Sequence, residues 1–496
     1  MKRSKFSLSH YKLMSMQMGG LYPCGLVEVL PGDSFQHSTS ALVRVSPLVS
    51  PVMHPVHMRI HHWYVPHRIV FPKWEQFITG GEDGMDTTVL PTITITGDTG
   101  GTGSLWDYLG GCPQTVGNSI GVSALPFRGY ALIWNEWYRD QDLQEKLIID
   151  TEEGSDTTTN TSLVNVGWEK DYFTTARPWT EKGPQVTIPL VGHAPVIGDG
   201  LNAPIFQTQQ GNPTSPLYAG GTAGANVISN ATPAGNLYWE NPALQADLTE
   251  ASGIDINELR MALAIQRYQE ARARYGSRYT EYLRYLGIRS SDARLQRPEY
   301  LGGGKQTIQF SEILQTAPNA EPDTGGLGNL GGHGIGAIRS NRYRRFFEEH
   351  GYVFSFISVK PRTIYSQGIP RTWLKRVKED YWQKELQHVG QQEVMVGELY
   401  GAASVPTNTF GFQDRYDEYR RMESQVLGEF RTSTLDFWHM ARTFSSEPVL
   451  NASFVQSNPT NRIFADQTGA DTLYVMASHS IQARRMLTAA GTSFTF

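Results

Sequence analysis

Two cysteines, Cys24 and Cys112, are all that 496 residues contain. Two thiols cannot build a disulfide framework, which fits folding in a reducing cytosol, although a single bridge between them stays open. No run of about 18 apolar residues occurs, so no segment is expected to span a membrane as a helix. The start is basic (Lys2, Arg3, Lys5), but Leu13-Met14-Ser15-Met16-Gln17-Met18 is too polar for the apolar part of a signal peptide. A positive excess is missing too: 43 Lys and Arg stand against 48 Asp and Glu, a net charge of −5. Contact with nucleic acid must therefore come from local basic patches. There is no zinc-protease helix, Walker loop or nucleophile elbow, and no internal repeat. Paired carboxylates such as Glu348-Glu349 have no partner in sight. The chain does not read as an enzyme, and no cofactor is implied.

Turn formers are what it has in abundance, with 49 Gly and 27 Pro, alongside 11% aromatic residues. That composition predicts many turns and long ordered loops. Strand-like segments run from end to end without a clean linker. One all-β core with large insertions fits this better than a string of domains. The stretch Gly19 to Gly81 holds three such segments, Leu26–Leu30, Ser40–Ser46 and Val56–Val65, separated by Pro, Gly and Ser. In the third, alternation sends Val56, Met58, Ile60, His62 and Tyr64 to one face and His57, Arg59, His61 and Trp63 to the other. The first face suits a core. The second suits another buried layer or a partner.

Residues 1–25 read as an arm without a sustained period, before a single β domain with large insertions over 26–496. Thr87–Thr96 alternates like an edge strand, and Ser104–Gly111 like a short helix with a Ser cap and a Gly stop. Arg128–Leu143 predicts a helix with Tyr130, Ile133, Trp134, Trp137 and Tyr138 on one stripe. Residues 183–250 contain no Arg and many Gly, Pro, Asn, Thr and Ala. Being nearly uncharged, they read as an ordered surface excursion. A capping-box-like Asp255 and Glu258 open a helix to about Leu286, weak at Gly276, with Ile256, Leu259, Leu263, Gln266 and Ala273 on a packing stripe. Residues 319–336 read as a glycine-rich loop, Tyr352–Val359 as a buried strand, Trp373–Gln387 as charged and helical, and Val394–Leu399 as a strand. Tyr416–Met422 reads as a charged turn or short helix. A last strand begins at Leu473 and ends near Arg484-Arg485.

Several constellations invite chemistry. His54, His57, His61, His62 and His67 crowd into fourteen residues. On a strand, His57 and His61 lie about 13 Å apart, too far to share a zinc ion, and His61 and His62 face opposite ways. Histidines packed or hydrogen-bonded in a sheet are the better reading, so no metal site is assigned. Gly326-Leu327-Gly328-Asn329-Leu330-Gly331 matches the dinucleotide-binding glycine pattern, but it lacks the strand before it and the helix within it. From Arg260 to Arg297 nine Arg are interleaved with Tyr268, Tyr275, Tyr279, Tyr282 and Tyr285. Arg with Tyr suits subunit interfaces and also single-stranded nucleic acid. Arg267, Tyr268, Arg274, Tyr275, Tyr282, Arg294 and Tyr300 are the candidates for inter-subunit contact. Lys2, Arg3, Lys5, Arg342, Arg344, Arg345, Arg484 and Arg485 are the candidates for contact with single-stranded nucleic acid.

Those residues sit among stretches that carry a family likeness. They are Phe6–His10, His61–Arg68 followed by Trp74–Gly81, Trp137–Asp140, Ser291–Gly303, Glu348–Tyr352 leading into Val359–Arg362, and Asp436–His439 with Phe444–Ser446. In this order, across nearly the whole chain, they resemble the major capsid proteins of the microviruses. These are small icosahedral bacteriophages with circular single-stranded DNA, and the gokushovirus-like branch matches best. The resemblance implies an eight-stranded antiparallel jelly roll with long loop insertions containing several helices, assembling in the bacterial host cytoplasm into a T=1 shell. It implies a virion location and a set of partners: further copies of the chain, the genome, a small basic DNA-binding protein, an internal scaffolding protein, a minor or pilot protein and a host surface receptor. Residues 183–250 fall where the family carries an outward loop near the threefold axes, which makes Tyr218, Asn226, Asn230 and Asn236 the candidates for attachment. The rival readings are a jelly-roll glycan-binding module or adhesin, and an enzyme on a cupin-like scaffold using the histidines.

Overall fold

The computed structural model describes residues 3–184, 186, 196–198, 205–208, 237–241, 244–246, 256–276, 278–289, 291–316, 328–469 and 471–488. The chain divides into two compact units, Met1–Thr180 with Ser277–Phe496, and Glu181–Gly276.

The first unit is a curled antiparallel sheet. Its strands are β1 (Ser4–Ser7), β2 (His10–Met16), β3 (Tyr22–Val29), β4 (Ser34–Val45) and β5 (Val56–Pro66). A hairpin of β6 (Thr92–Thr96) and β7 (Ser119–Ser123) stands apart from it. In the second unit β8 (Val196–Gly198) pairs with β11 (Leu244–Ala246), and β9 (Ile205–Thr208) with β10 (Leu237–Asn241). The main sheet resumes with β12 (Glu299–Leu314), β13 (Leu330–Arg339), β14 (Tyr343–Phe346) and β15 (Gly351–Pro361). After a hairpin of β16 (Gln391–Met395) and β17 (Thr409–Asp414), it closes with β18 (Leu473–Arg485). The order is β1-β18-β4-β13-β12-β5-β15-β3, with β2 also on β18 and β14 also on β4. β12 pairs with β5 through its first half and with β13 through its second, so this one strand carries the sheet around the bend.

Curling brings two walls face to face. Val43 and Val45 of β4 and Val475 and Ala477 of β18 meet Met58 and Ile60 of β5 and Ile357 and Val359 of β15 in one core. This is the all-β, jelly-roll-like core the sequence predicts. The main sheet holds ten strands, however, where eight are expected. The surplus comes partly from the supposed arm: β1 and β2 both pair with β18.

The second face of β5 is covered by the chain itself. Helices α1 (His67–Val70), α2 (Trp74–Thr79), α3 (Leu105–Leu109) and α4 (Leu125–Ile133) follow the sheet, and α4 runs on into a wide π turn at Trp134–Tyr138. Tyr130, Ile133 and Trp134 pack with Trp63, Val65, Phe354 and Phe356 in a second core. His61 Nδ1 is hydrogen-bonded to Tyr138 Oη at 2.7 Å, Trp63 donates to the same oxygen at 3.2 Å, and Arg59 pairs with Glu169 at 3.0 Å. The strand therefore has two buried sides, one against the facing wall and one against the helical layer. The expected caps of α3 are present: Ser104 accepts from the Asp107 amide and Gly110 is left-handed.

Other expectations shift. Leu330–Arg339 is a strand, where a glycine-rich loop is expected. Its buried positions are Ile338, in the main core, and Gly332, Gly334 and Gly336, where an added Cβ would lie 2.6 Å from Ser50 O, 2.7 Å from Val45 Cγ2 and 2.4 Å from Met58 Cε. Glycine lets this strand lie against its neighbours more closely than any side chain would. Trp373–Gln387 is no helix. It holds separate 3-10 turns, because Arg371 and Lys375 turn inward to Glu398 and Glu418 from later segments. The Thr87–Thr96 strand starts only after Pro91, and β16 ends at Met395 in a 3-10 turn over Val396–Glu398. The long helix breaks at Gly276 (φ +91°) into α5 (Ile256–Tyr275) and α6 (Tyr279–Tyr285). Asp255 of its expected capping box lies outside the described residues.

Candidate nucleic-acid interface

The outer face of β18 and its neighbours gathers cations from distant parts of the sequence. Directly paired residues share a face, and register fixes five long rows across the sheet, with the shorter Ser480–Ser38 pair between the second and third. Lys5 pairs with Arg484, Arg484 with Ser34, and Ser34 with Phe346. Ser7, Gln482, Gln36 and Arg344 form the next row. Then come Tyr11, Ser478, Ser40 and Arg339, followed by Leu13, Met476, Leu42 and Ala337, and finally Ser15, Tyr474, Arg44 and Ile335. Arg3 lies over the Phe346 ring at 4.9 Å and donates to Ser34 Oγ at 3.2 Å. Lys5, Arg44, Arg339, Arg344 and Arg484 are exposed, as are Tyr11, Leu13, Tyr474 and Met476. None of the five rows contains a carboxylate; the Asp471 carboxylate accepts from Ser15 at the edge of the last one. Ten residues of β18 separate the end rows, about 34 Å of strand.

Not every candidate cation joins this face. Arg345 pairs with Glu299 at 2.6 Å. Arg485 points to the other side, 3.1 Å from Asp33, and donates to Glu28 O. Arg342 is exposed between β13 and β14, and Lys2 lies outside the described residues. Arg44 and Arg339, absent from the sequence-based set, are brought in by register alone.

The candidate contact residues fall in both units. In the second, Arg267, Tyr268, Arg274 and Tyr275 are exposed on α5, with Arg272 over the Tyr268 ring. The stripe expected to pack does so only at Ala273, with Gln266 half-buried; Ile256, Leu259 and Leu263 are 66%, 39% and 55% exposed. Burial falls one turn aside, on Gln269 and Ala273. In the first unit Tyr282, Arg294 and Tyr300 are exposed, and α6 is anchored by Arg278, which donates to Glu136 O and Asn135 O at 2.8 Å. Those carbonyls lie in the π turn, where wider winding leaves acceptors free for a cation. Tyr218, Asn226, Asn230 and Asn236 lie outside the described residues.

Four of the five clustered histidines have ordinary hydrogen-bond partners, and His67 packs edge-on against Trp74 and Tyr352. His54 bonds to Arg362 O, His57 to Thr307, His61 to Tyr138, and His62 to Ser355 and Ser340. Burial pushes His54, His61 and His67 down to about 4. Among the described residues no group of three His, Cys, Asp or Glu could hold a metal ion. Cys24 and Cys112 are both free, and burial pushes the Cys24 thiol up to about 12. Of the glycine pattern at 326–331, the described part leads straight into β13 and opens no helix.

An antiparallel roll here exposes arginine, tyrosine and leucine in ordered rows, side chains that macromolecular interfaces favour. It has the make-up of a structural, surface-forming protein. The particular family follows from comparison with known proteins: the chain belongs to the capsid protein (F protein) family, whose sequence model matches residues 1–494. It is similar to "Capsid protein VP1" of Bdellovibrio phage phiMH2K, at 34% identity over 92% of this chain and 88% of the relative. It is 31% identical to the proteins of the same name from Chlamydia phage 1 (94% and 91% covered) and Spiroplasma virus 4 (92% and 88%). The chain is a structural capsid protein of the gokushovirus type, located in the virion, and not an enzyme. Among the described residues no helix is long and apolar enough to cross a membrane.

Proposed function

We propose that copies of this chain close into a T=1 icosahedral shell around a circular single-stranded DNA genome, with the outer face of the β18 sheet turned toward the DNA. The five carboxylate-free rows are the observation that carries this reading. Cations there can meet phosphates and aromatic rings can meet bases, the combination that suits single strands of any sequence. With a net charge of −5 the shell does not neutralise a genome by itself. A separate small basic protein beside the DNA fits that deficit, and scaffolding and pilot proteins complete the expected partners.

Contact between copies falls to the exposed Arg and Tyr of α5 and α6 and to the apolar side of α5. Obligate interfaces bury on the order of 2,000 Å² or more and favour such side chains. Closure about symmetry axes then ends growth at a finite particle. Electron microscopy of the purified protein tests the reading: closed shells support it, and small open oligomers favour a glycan-binding module instead.

The insertion at 183–250 is assigned to host attachment. A chain lacking 200–236 should still form particles but lose adsorption to host cells. Particles that adsorb as well as the parent would remove that assignment.

A further inference from the structure

We propose that a buried chain of imidazoles and hydroxyls between the two walls of the roll is an acid-sensitive bolt, which holds the walls together while its histidines are neutral and releases them when protons enter. Three rings from three strands meet there: His37 of β4, His479 of β18 and His62 of β5 are 1%, 2% and 0% exposed. The His37 ring centre lies 4.6 Å from that of His62 and 5.5 Å from that of His479.

The hydrogen bonds run in one direction. His479 Nε2 lies 2.9 Å from the Cys24 carbonyl of β3, which can only accept, so that nitrogen carries the hydrogen. Nδ1 of the neutral ring is then an acceptor, 2.8 Å from Thr39 Oγ1. Thr39 donates to it and accepts from His37 Nε2 at 3.1 Å. Tyr343 Oη donates to His37 Nδ1 at 3.0 Å. Every donor from Tyr343 to Cys24 has its acceptor, and the chain crosses from one wall to the other. His62 stands beside it, 2.8 Å from Ser355 Oγ and 3.0 Å from Ser340 Oγ, and Ser340 Oγ also accepts the Thr39 amide. A proton on His479 Nδ1 would turn that nitrogen into a donor facing Thr39. The threonine oxygen would then receive two donors while its own hydrogen lost its acceptor. Buried groups in this position are costly to leave unsatisfied.

The Cys24 carbonyl favours a charged His479, but among the described residues no carboxylate acts on the three rings. On β2, His10 stacks on His479 at 4.8 Å, and Lys12 is a further cation acting on it. Asp107 acts on Lys12 and on none of the three rings. From β5, His61 adds to the repulsion on His62, and from β3 the Cys24 thiol stays neutral. Tyr343 of β14 is held un-ionised by burial. Desolvation, followed by the neighbouring imidazoles, accordingly lowers His37 to about 2 and His62 to about 3, while desolvation and His10 lower His479 to about 4, against an ordinary 6.5. Below pH 6.5 the opened state thus binds more protons than the closed one. Stability is complete above that pH and falls as pH drops toward the lowered values. Each ring contributes up to about tenfold in the folding equilibrium per pH unit.

The test is urea unfolding of the full chain at a series of pH values between 7.5 and 4.5. Replacing two rings, His37→Gln with His479→Gln, should lower stability at pH 7.5 and flatten the pH dependence by up to about a hundredfold per unit. Thr39→Val removes the bridging hydroxyl and leaves the two rings only their direct 3.3 Å contact, without removing a titrating group, so it should lower the whole curve and keep its slope. An unchanged slope in the double variant would overturn the bolt. Should that variant fail to fold, hydrogen exchange on the unaltered protein decides. Amides of β3, β4 and β18 should lose protection on acidification before those of the β16–β17 hairpin, and loss in the reverse order or all at once contradicts the proposal.

Discussion

Arg128→Met is expected to cost about 3–5 kcal/mol and leave little folded protein, the usual outcome when one member of a buried ion pair is removed. Arg128 and Asp156 are both fully buried, 2.9 Å apart. The guanidinium also donates to Val70 O at 3.3 Å and to Glu152 O at 2.9 Å. One side chain on α4 thereby holds the end of α1 and the loop that carries Asp156. Asp156 in turn accepts from the Thr159 amide and hydroxyl and from the Thr158 amide. Burial opposes its ionisation, but these bonds and Arg128 outweigh it and hold the carboxyl below its ordinary value. The stability it lends is present above that value and lost as pH falls through the lowered one. Without Arg128 the carboxylate is buried with its main partner gone. Arg128→Met with Asp156→Leu removes both charges and should recover part of the loss. Urea unfolding of the three proteins measures this; a single variant within about 1 kcal/mol of the parent would show that the pair does not hold the helical layer.

The second large effect is on DNA. Changing Lys5, Arg44, Arg344 and Arg484 to Gln removes four cations from the rows. For single strands each phosphate contact contributes about 0.7 to the slope of log affinity against log salt, so the slope should drop by about 3. Between 50 and 200 mM salt those four contacts account for about a 50-fold loss of affinity, which the variant should no longer show. Arg345→Gln with Arg485→Gln is the control, because those cations are already engaged with Glu299 and Asp33. Oligonucleotide binding by genome-free protein at several salt concentrations gives the answer. An equal loss of slope per cation removed in the control would mean that general charge, and not this face, draws the DNA.

Much of the roll is legible in the sequence where one side of a strand is apolar. β5, β15 and β18 stand out because Val, Ile, Phe and Met recur at the buried positions. β2 hides because its outward positions, Tyr11 and Leu13, are the apolar ones, 69% and 74% exposed. β13 hides because glycine fills three of its four buried positions, so close packing reads as a loop. α5 misleads in the opposite way. Its apolar stripe is real, but the helix is seated through Gln269 and Ala273 and leaves the stripe open.

The candidate interface is legible only in pieces. Lys5 and Arg484 are nearly at opposite ends of the chain yet pair directly. Neither spacing nor composition carries that information, because it arises from register. The same holds for His37 and His479, which are 442 residues apart and hydrogen-bonded in the core. The histidines of 54–67 draw the eye by density, whereas the ring cluster draws one member from that run and two from elsewhere.

An electron-microscopy reconstruction of the purified particle tests the central claim most directly. The expected result is a closed T=1 shell in which the β1-β18-β4-β14 face lines the interior and the exposed side of α5 lies against a neighbouring copy. Small open oligomers, or a shell with Lys5, Arg344 and Arg484 on its outer surface, would contradict it.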